Sequence, residues 1–411
     1  MTCTTARARN QESAGLSDGI GIAQAAPVNN AVSPTDVAIA ARTSGVFSAN
    51  ELQSALLVET LIEVVYPSGK GAIGIRGSQA PLSWEHTEPP ISVHGDVHLF
   101  RLILRTDDIL ELKVVRGEDW ATGRNYQLHA GDSLRIEPYF DATEPTFEQF
   151  EIAYGDRKLK VDVLLPPSYA EQPNKRYPVL YAMDGQSLWS HSEDPFGIWE
   201  MNGTLSSLYE LGAIEELIVV AVHTDQDRLD LLGPVADANY GGGHAKDFLA
   251  WIADALRPHV GAHYRAKSDA ASTGILGSSM GGLFAFYAAY TLPEVFGRAA
   301  CLSSSFWWAD RWAVRLAQST GAPSPRPFLY LDSGASPAPM EEDARLLDGF
   351  HHTRSMHRAL TRVGFEAGVD LHRLVFPGMK HNAGSWASRV SMPLQLLFPK
   401  VQTSPVAARN D

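Results

Sequence analysis

The six residues Gly277-Ser278-Ser279-Met280-Gly281-Gly282 carry the strongest chemical signal in this chain. An apolar strand (Ile275, Leu276) leads into them, and a helix of small and aromatic residues (Phe284–Tyr290) leads out. Glycines on both sides of the central serine permit a strand-to-helix turn too sharp for side chains. Such a turn lifts the Ser279 hydroxyl above the strand ends. It also leaves the Met280 N–H unpaired at a helix start, where it can stabilise an oxyanion. The chemistry is nucleophilic attack on a carbonyl, with the serine activated by a base and the base oriented by an acid.

A serine on this kind of turn is followed in chain order by the acid and then the histidine. The downstream histidines are His351, His352, His357, His372 and His381. The first three fall in or beside a helical stretch, and His372 lies within a strand. His381 follows a strand and the loop Pro377-Gly378-Met379-Lys380, and is the expected base. For the acid, the loop after the strand Phe328–Leu331 offers Asp332, Glu341, Glu342 and Asp343. Asp343 is the first choice and Glu342 and Glu341 are the alternates, while Asp332 is expected to brace the turn at Gly334. A Ser279–His381 pair working without a strong third member is the other arrangement. A second oxyanion donor is expected from Gly185 or Gln186, after the strand Tyr177–Met183, where Gly185 lets the backbone approach a ligand. Trp189, Trp199, Trp307 and Trp308 lie near C-terminal strand ends, where open α/β sheets bind ligands. Of these, Trp189, Trp307 and Trp308 are the candidate pocket lining.

These side chains need a scaffold, and residues 146–400 supply one by alternating strands and helices. A hairpin is expected from Phe150–Tyr154 and Lys158–Leu165 through Gly155-Asp156. Further strands follow at Tyr177–Met183, Leu217–Val222, Thr273–Leu276, Ala299–Ser303, Phe328–Leu331 and Leu371–Val375. One intervening helix carries Phe248, Trp251, Ile252, Ala255 and Leu256 at helical spacing and is expected to stop at Pro258. Others are expected over Gly281–Tyr290 and Thr353–Val363. The pattern predicts a doubly wound, mostly parallel α/β sheet with helices on both faces. Upstream, residues 46–145 hold only short strands separated by turn residues, which predicts a small β-sandwich ending near Glu144-Pro145. Residues 1–45 lack periodicity and are expected to form a disordered leader, with residues 401–411 a tail.

Composition narrows the function. The chain has 411 residues, 45% hydrophobic and 20% charged, enough for two or three domains. Lys and Arg number 34 against 47 Asp and Glu, a net charge of −13 that argues against a nucleic-acid partner. No apolar run approaches the ~18 residues that cross a bilayer, so no membrane role is expected and the chain reads as soluble. The only cysteines are Cys3 and Cys301, too few for a disulfide framework or a cysteine-rich zinc site. Neither a metal nor an organic cofactor is needed by the chemistry above. Gly19–Val28 is modestly apolar and Ala23-Gln24-Ala25 resembles a cleavage site, but Glu12 and Asp18 interrupt the approach. A cytoplasmic location is therefore expected, with secretion the alternative. Nothing in the sequence specifies an oligomeric state.

Four words in residues 146–400 match a known family: Val179-Leu180-Tyr181-Ala182-Met183-Asp184-Gly185-Gln186, Gly277-Ser278-Ser279-Met280-Gly281-Gly282, Ser304-Ser305-Phe306-Trp307-Trp308 and His381-Asn382. This part resembles the esterase family that includes enterochelin (ferric enterobactin), feruloyl, acetylxylan and S-formylglutathione esterases. The resemblance implies an α/β-hydrolase fold and ester hydrolysis through an acyl-serine. Where that family often shows an acidic residue soon after a glycine, this chain has Gly334-Ala335-Ser336-Pro337, so the resemblance does not single out the acid.

The upstream words Gly77-Ser78, Leu82-Ser83-Trp84-Glu85, Leu112-Lys113-Val114 and Trp120-Ala121-Thr122-Gly123-Arg124-Asn125 are similar to the starch-binding module of glucoamylases. That similarity implies that Trp84 and Trp120 stack on sugar rings while Lys113 and Asn125 bond hydroxyls. The alternative is a sandwich kept only as a scaffold, since enterochelin esterases also carry an N-terminal β-sandwich. The leading expectation is a serine carboxylic-ester hydrolase of the enterochelin esterase kind, taking a small-molecule ester such as a catecholate siderophore. The net charge disfavours an anionic iron chelate unless arginines cluster locally. The rivals are an acyl or feruloyl esterase held to a polysaccharide such as an α-glucan, and a non-enzymatic glycan-binding protein.

Overall fold

The structure, a computed structural model, describes residues 56–335 and 349–400. The expected leader, the tail 401–411 and the acid candidates Glu341, Glu342 and Asp343 lie outside the described residues. The described residues from Val58 onward fall in one compact unit.

The first strands are short and alternate in burial. They are β1 (Leu57–Val65), β2 (Ile73–Gly77), β3 (Ser92–His94), β4 (Val97–Arg105), β5 (Ile109–Arg116), β6 (Asp119–Trp120), β7 (Tyr126–His129) and β8 (Ser133–Ile136). One sheet runs β3-β4-β1-β8; the other runs β2-β5-β6, with β7 also paired to β5. In β4, His98, Phe100, Leu102 and Leu104 turn inward while Arg101, Ile103 and Arg105 face out, the period of two that a half-buried strand requires. Both sheets bury their inner faces in one core that includes Ile62, Val64, Ile75, Phe100, Leu102, Leu112 and Val114.

The larger sheet contains β9 (Thr146–Tyr154), β10 (Arg157–Leu165), β11 (Val179–Met183), β12 (Ile218–Val222), β13 (Thr273–Ser278), β14 (Arg298–Leu302), β15 (Phe328–Ala335) and β16 (Leu371–Pro377). Their order is β16-β15-β14-β13-β11-β12-β10-β9. Pairs from β16 through β12 are parallel, and β10 is antiparallel to both β12 and β9. Every residue of β11, β12 and β13 is buried, as expected for strands covered on both faces. The helices used below are α1 (Met201–Glu210), α2 (Ala245–Trp251), α3 (Met280–Thr291), α4 (Trp308–Thr320), α5 (Phe350–Arg362), α6 (Ala383–Ala387) and α7 (Ser391–Leu397). This is an α/β-hydrolase sheet preceded by small β-sheets. After β11 the chain adds β12 on one side, then returns to place β13 on the other. Ligands in open α/β sheets bind at such a reversal, beyond the carboxyl ends of the strands.

Two local expectations are corrected. Pro258 does not end its helix: α2 passes into a π-helical turn at Ile252–Leu256 and then into Arg257–His263. The wider turn just before the proline lets the axis continue although Pro258 has no N–H to donate. Strand β15 runs four residues beyond Leu331, so Asp332 is a strand residue and does not brace a turn.

The small sheets are tied to the larger one through the segment after β10. The Glu171 carboxylate accepts from Tyr66 Oη at 2.6 Å, Phe140 N at 2.9 Å and Asp141 N at 3.0 Å. Gln172 Nε2 donates to Pro138 O at 2.6 Å and Lys70 Nζ to Glu171 O at 2.8 Å. Among the described residues, no helix is long and apolar enough to cross a membrane.

Candidate active site

Ser279 links β13 to α3 with φ 55° and ψ −116°, a conformation that a residue with a side chain adopts only under constraint. The constraint is tight packing. A Cβ on Gly277 would lie 2.4 Å from the Gly281 carbonyl carbon, so no larger residue fits there without moving the turn. Ser279 N donates to Leu302 O and Ser305 N donates to Ser279 O, both at 2.9 Å. These bonds brace the turn against the end of β14.

The His381 imidazole reaches this turn from the loop between β16 and α6. Its Nε2 stands 2.9 Å from Ser279 Oγ, within hydrogen-bond reach of the proton a base must remove. Asn382 caps α6 by accepting from Ser385 N at 2.9 Å, which fixes the backbone next to His381. The Trp386 ring meets the imidazole edge-on, with centroids 5.1 Å apart, and its Nε1 donates to Ser303 Oγ at 3.0 Å. Ser305 Oγ is a second oxygen beside the nucleophile, 3.2 Å from Ser279 Oγ.

Asp332 serves elsewhere. It is fully buried and takes Arg389 Nε and Nη2, each at 3.1 Å, Tyr330 Oη at 2.9 Å and Ser303 N at 3.0 Å. A carboxylate so fully engaged is a structural anchor between β14, β15 and the segment carrying His381.

Met280 opens α3, where its N–H has no intrahelical acceptor. Gly185 and Gln186 form a short 3₁₀ turn beyond β11, entered through Asp184 at φ 63°. A Cβ on Gly185 would meet Ala221 O at 2.9 Å and His223 Cδ2 at 2.8 Å, so the close approach depends on glycine. Arg228 binds the two turns together, with Nη2 2.8 Å from Asp184 Oδ2 and 3.0 Å from Ser278 O. The arrangement can attack a carbonyl with Ser279, move its proton to His381 and offer backbone N–H groups to the resulting oxyanion.

Beyond Ser279 opens a cleft of about 1120 Å³. Trp199 and Trp386 form one aromatic wall, their ring centroids 5.9 Å apart, and Phe196 stands on the rim 89% exposed. Trp189 belongs to the lining but is buried, and its Nε1 donates to Asp162 Oδ2 at 3.0 Å. Trp307 and Trp308 lie outside the cleft lining. Trp308 is buried with Nε1 donating to Val235 O, and Trp307 packs against the same core. Proximity to a strand end was too coarse a guide, because the chain after β14 turns away from the cleft into α4.

Asp162 and His223 were not singled out from sequence, although a charged residue within Val161-Asp162-Val163 and a histidine directly after Ile218–Val222 were visible signals. Asp162 accepts from His223 Nε2 at 2.8 Å and from Gln149 Nε2 at 2.6 Å. Burial alone would raise its pKa, but the His223, Gln149 and Trp189 donors outweigh burial and hold the carboxyl below its ordinary value. Asp162→Asn should therefore cost about 1–3 kcal/mol of stability at neutral pH. A depressed folded pKa contributes stability above the unfolded value near ~3.9 and loses it as pH falls through the folded value. Melting curves of wild type and Asp162→Asn should thus converge below about pH 4, and a gap unchanged down to acid pH would contradict this account.

In the small sheets, Trp84 and Trp120 are exposed and adjacent, with ring centroids 6.0 Å apart and planes at 53°. Lys113 Nζ donates to Gly123 O, and Asn125 Nδ2 donates to Glu111 Oε2 at 3.1 Å. Trp84 lies in the segment between β2 and β3, Lys113 in β5, Trp120 in β6 and Asn125 directly before β7.

The family described as "Putative esterase" matches residues 153–392, more than half of the chain. Protein YbbA of Bacillus subtilis is 24% identical over 247 residues, covering 56% of this chain and 92% of its own. The siderophore enterobactin esterase of Emericella nidulans is 26% identical over 199 residues, 44% of this chain and 66% of that protein. Among solved structures, ferric enterobactin esterase from Salmonella typhimurium superposes with a TM-score of 0.48 at 16% identity, covering 83% of this chain and 93% of that one.

Proposed function

The chain belongs to this esterase family, and from that premise we propose that it is a serine carboxylic-ester hydrolase working through an acyl-serine. Ser279 Oγ attacks the ester carbonyl while His381 Nε2 takes its proton. The N–H groups of Met280 and of Gly185 or Gln186 hold the oxyanion, a contribution commonly worth ~3–4 kcal/mol per donor. Collapse of the tetrahedral adduct breaks the C–O bond to the alcohol, which leaves with the proton from His381. Water then attacks the acyl-serine by the same route and releases the acid. Asp343, or else Glu342 or Glu341, is assigned to orient the imidazole. The observation that carries this reading is the 2.9 Å approach of His381 Nε2 to Ser279 Oγ.

Two relatives are described as siderophore esterases, one for enterobactin and one for triacetylfusarinine C, and we extend the class of large, polyfunctional esters to this chain. An aromatic-walled cleft of this size suits such a substrate. The test is turnover of p-nitrophenyl butyrate together with mass spectrometry of ferric enterobactin after incubation. Cleavage of the first alone would narrow the substrate to other esters, and cleavage of neither would defeat the reading.

A second, independent activity is favoured by the exposed Trp84–Trp120 pair: retention on α-glucan. Two exposed aromatic faces suit the apolar faces of sugar rings. Migration in a soluble-starch affinity gel should be retarded for wild type and restored to the starch-free position by Trp120→Ala. Equal migration of wild type with and without starch would leave the sheets a scaffold only.

A further inference from the structure

The two sources of oxyanion donors are held in different ways. Met280 is fixed by the helix it opens, whereas Gly185-Gln186 belongs to a short 3₁₀ turn that no helix continues. Such a turn takes its position from what lies beside it, and that is residues 221–224 at the end of β12. Thr224 Oγ1 donates to Asp184 Oδ1 at 2.5 Å, and Thr224 N donates to Gln186 Oε1 at 3.3 Å. Next to Thr224 stands the His223 ring, and its Cδ2 edge, with Ala221 O, is the surface on which Gly185 packs.

The ring is itself fixed by a buried charge. Asp162 Oδ2 takes His223 Nε2 at 2.8 Å and Trp189 Nε1 at 3.0 Å, while Oδ1 takes Gln149 Nε2 at 2.6 Å. These donors keep the carboxyl ionised, and an ionised carboxylate only accepts, so His223 Nε2 carries the proton. His223 N donates to Lys160 O at 3.0 Å, which ties the backbone of the histidine to β10 as well. Trp189 follows the turn and His223 lies under it, so one carboxylate grips both sides of the oxyanion loop. The pair is not a second base for the nucleophile. Ser279 Oγ already faces His381, and β11 with its turn separates β13 from the end of β12.

We propose that His223, oriented by Asp162, is a positioning residue whose ring sets how far the Gly185-Gln186 N–H groups project toward the oxyanion formed at Ser279. The inference deepens the ester-hydrolase reading above and rests on it for the place of the carbonyl. An oxyanion exists only in the transition state and the tetrahedral adducts, so the effect belongs in kcat and not in KM.

His223→Ala should lower kcat for p-nitrophenyl butyrate about a hundredfold with KM unchanged, the cost of a misplacement of about 1 Å. A trifluoromethyl ketone, which takes up Ser279 Oγ at its carbonyl carbon and places an oxyanion in the same spot, should lose affinity by the factor lost in kcat/KM. Counting reactive serines by stoichiometric phosphonylation puts kcat on a per-site basis, so partial unfolding does not imitate the result. His223→Gln keeps an N–H for Asp162 and most of the bulk under the turn, and should recover part of the loss. Asp162→Asn should lower kcat about tenfold in wild type and by almost nothing on top of His223→Ala, because it acts through the ring. An unchanged kcat per site in His223→Ala, a loss confined to KM, or full additivity of the two substitutions would overturn the proposal while leaving the hydrolase reading intact. Absence of any ester turnover in wild type would overturn both.

Discussion

Ser279→Ala should lower kcat for p-nitrophenyl butyrate by about a million-fold while leaving KM within a small factor, because the hydroxyl forms a bond only on the way to the transition state. The cleft walls that bind the ester are unaffected. Residual hydrolysis above the uncatalysed rate should come from the oxyanion donors alone. The strained backbone supplies a second measurement on the same residue. At φ 55° and ψ −116°, glycine is relieved of a conformational cost that serine and alanine both carry. Ser279→Gly should therefore be as inactive as Ser279→Ala yet melt at a higher temperature, by the equivalent of up to about 1 kcal/mol. An active Ser279→Ala protein would remove the serine from the mechanism. A Ser279→Gly protein less stable than Ser279→Ala would show that the turn is not strained.

The largest stability effect should come from Arg389, which is 1% exposed and paired at both ends of its fork with a fully buried Asp332. Arg389→Met leaves that carboxylate without its counter-charge and should cost about 3–5 kcal/mol in urea unfolding. Activity should fall with it. Arg389 Nη2 also donates to Ser303 Oγ, the oxygen that holds Trp386, and Trp386 packs on the His381 ring. Replacing both partners, with Asp332→Leu added, should recover much of the stability, since no charge is then stranded. A single Arg389→Met variant as stable as wild type would mean that the pair contributes nothing.

The sequence carried the parts of this site that depend on local geometry. The turn at Ser279 needs small neighbours within four residues, and the His381 loop follows a strand directly, so both were readable from adjacent letters. The mostly parallel sheet was readable too, because buried strands must be continuous apolar runs. What escaped depends on residues far apart in the chain. Arg389 and Asp332 are 57 positions apart, and His223 and Asp162 are 61 apart. Each is an unremarkable polar residue until the sheet brings it to its partner. Pro258 misled for the opposite reason: its local rule was sound, but the π-turn ahead of it met the need that the rule describes. Trp307 and Trp308 show that an aromatic at a strand end can face either the ligand or the core, depending on the direction the next loop takes.

Glu171 has a consequence for how the molecule comes apart. Its carboxylate takes hydrogen bonds from Tyr66, Phe140 and Asp141, so separating the small sheets from the larger one would strand a carboxylate that is 3% exposed. The two layers should melt together, giving a single calorimetric peak whose van't Hoff and calorimetric enthalpies agree. A polymer gripped at Trp84 and Trp120 would then be presented to Ser279 at one set spacing, as on a jig, with no swinging tether to vary it.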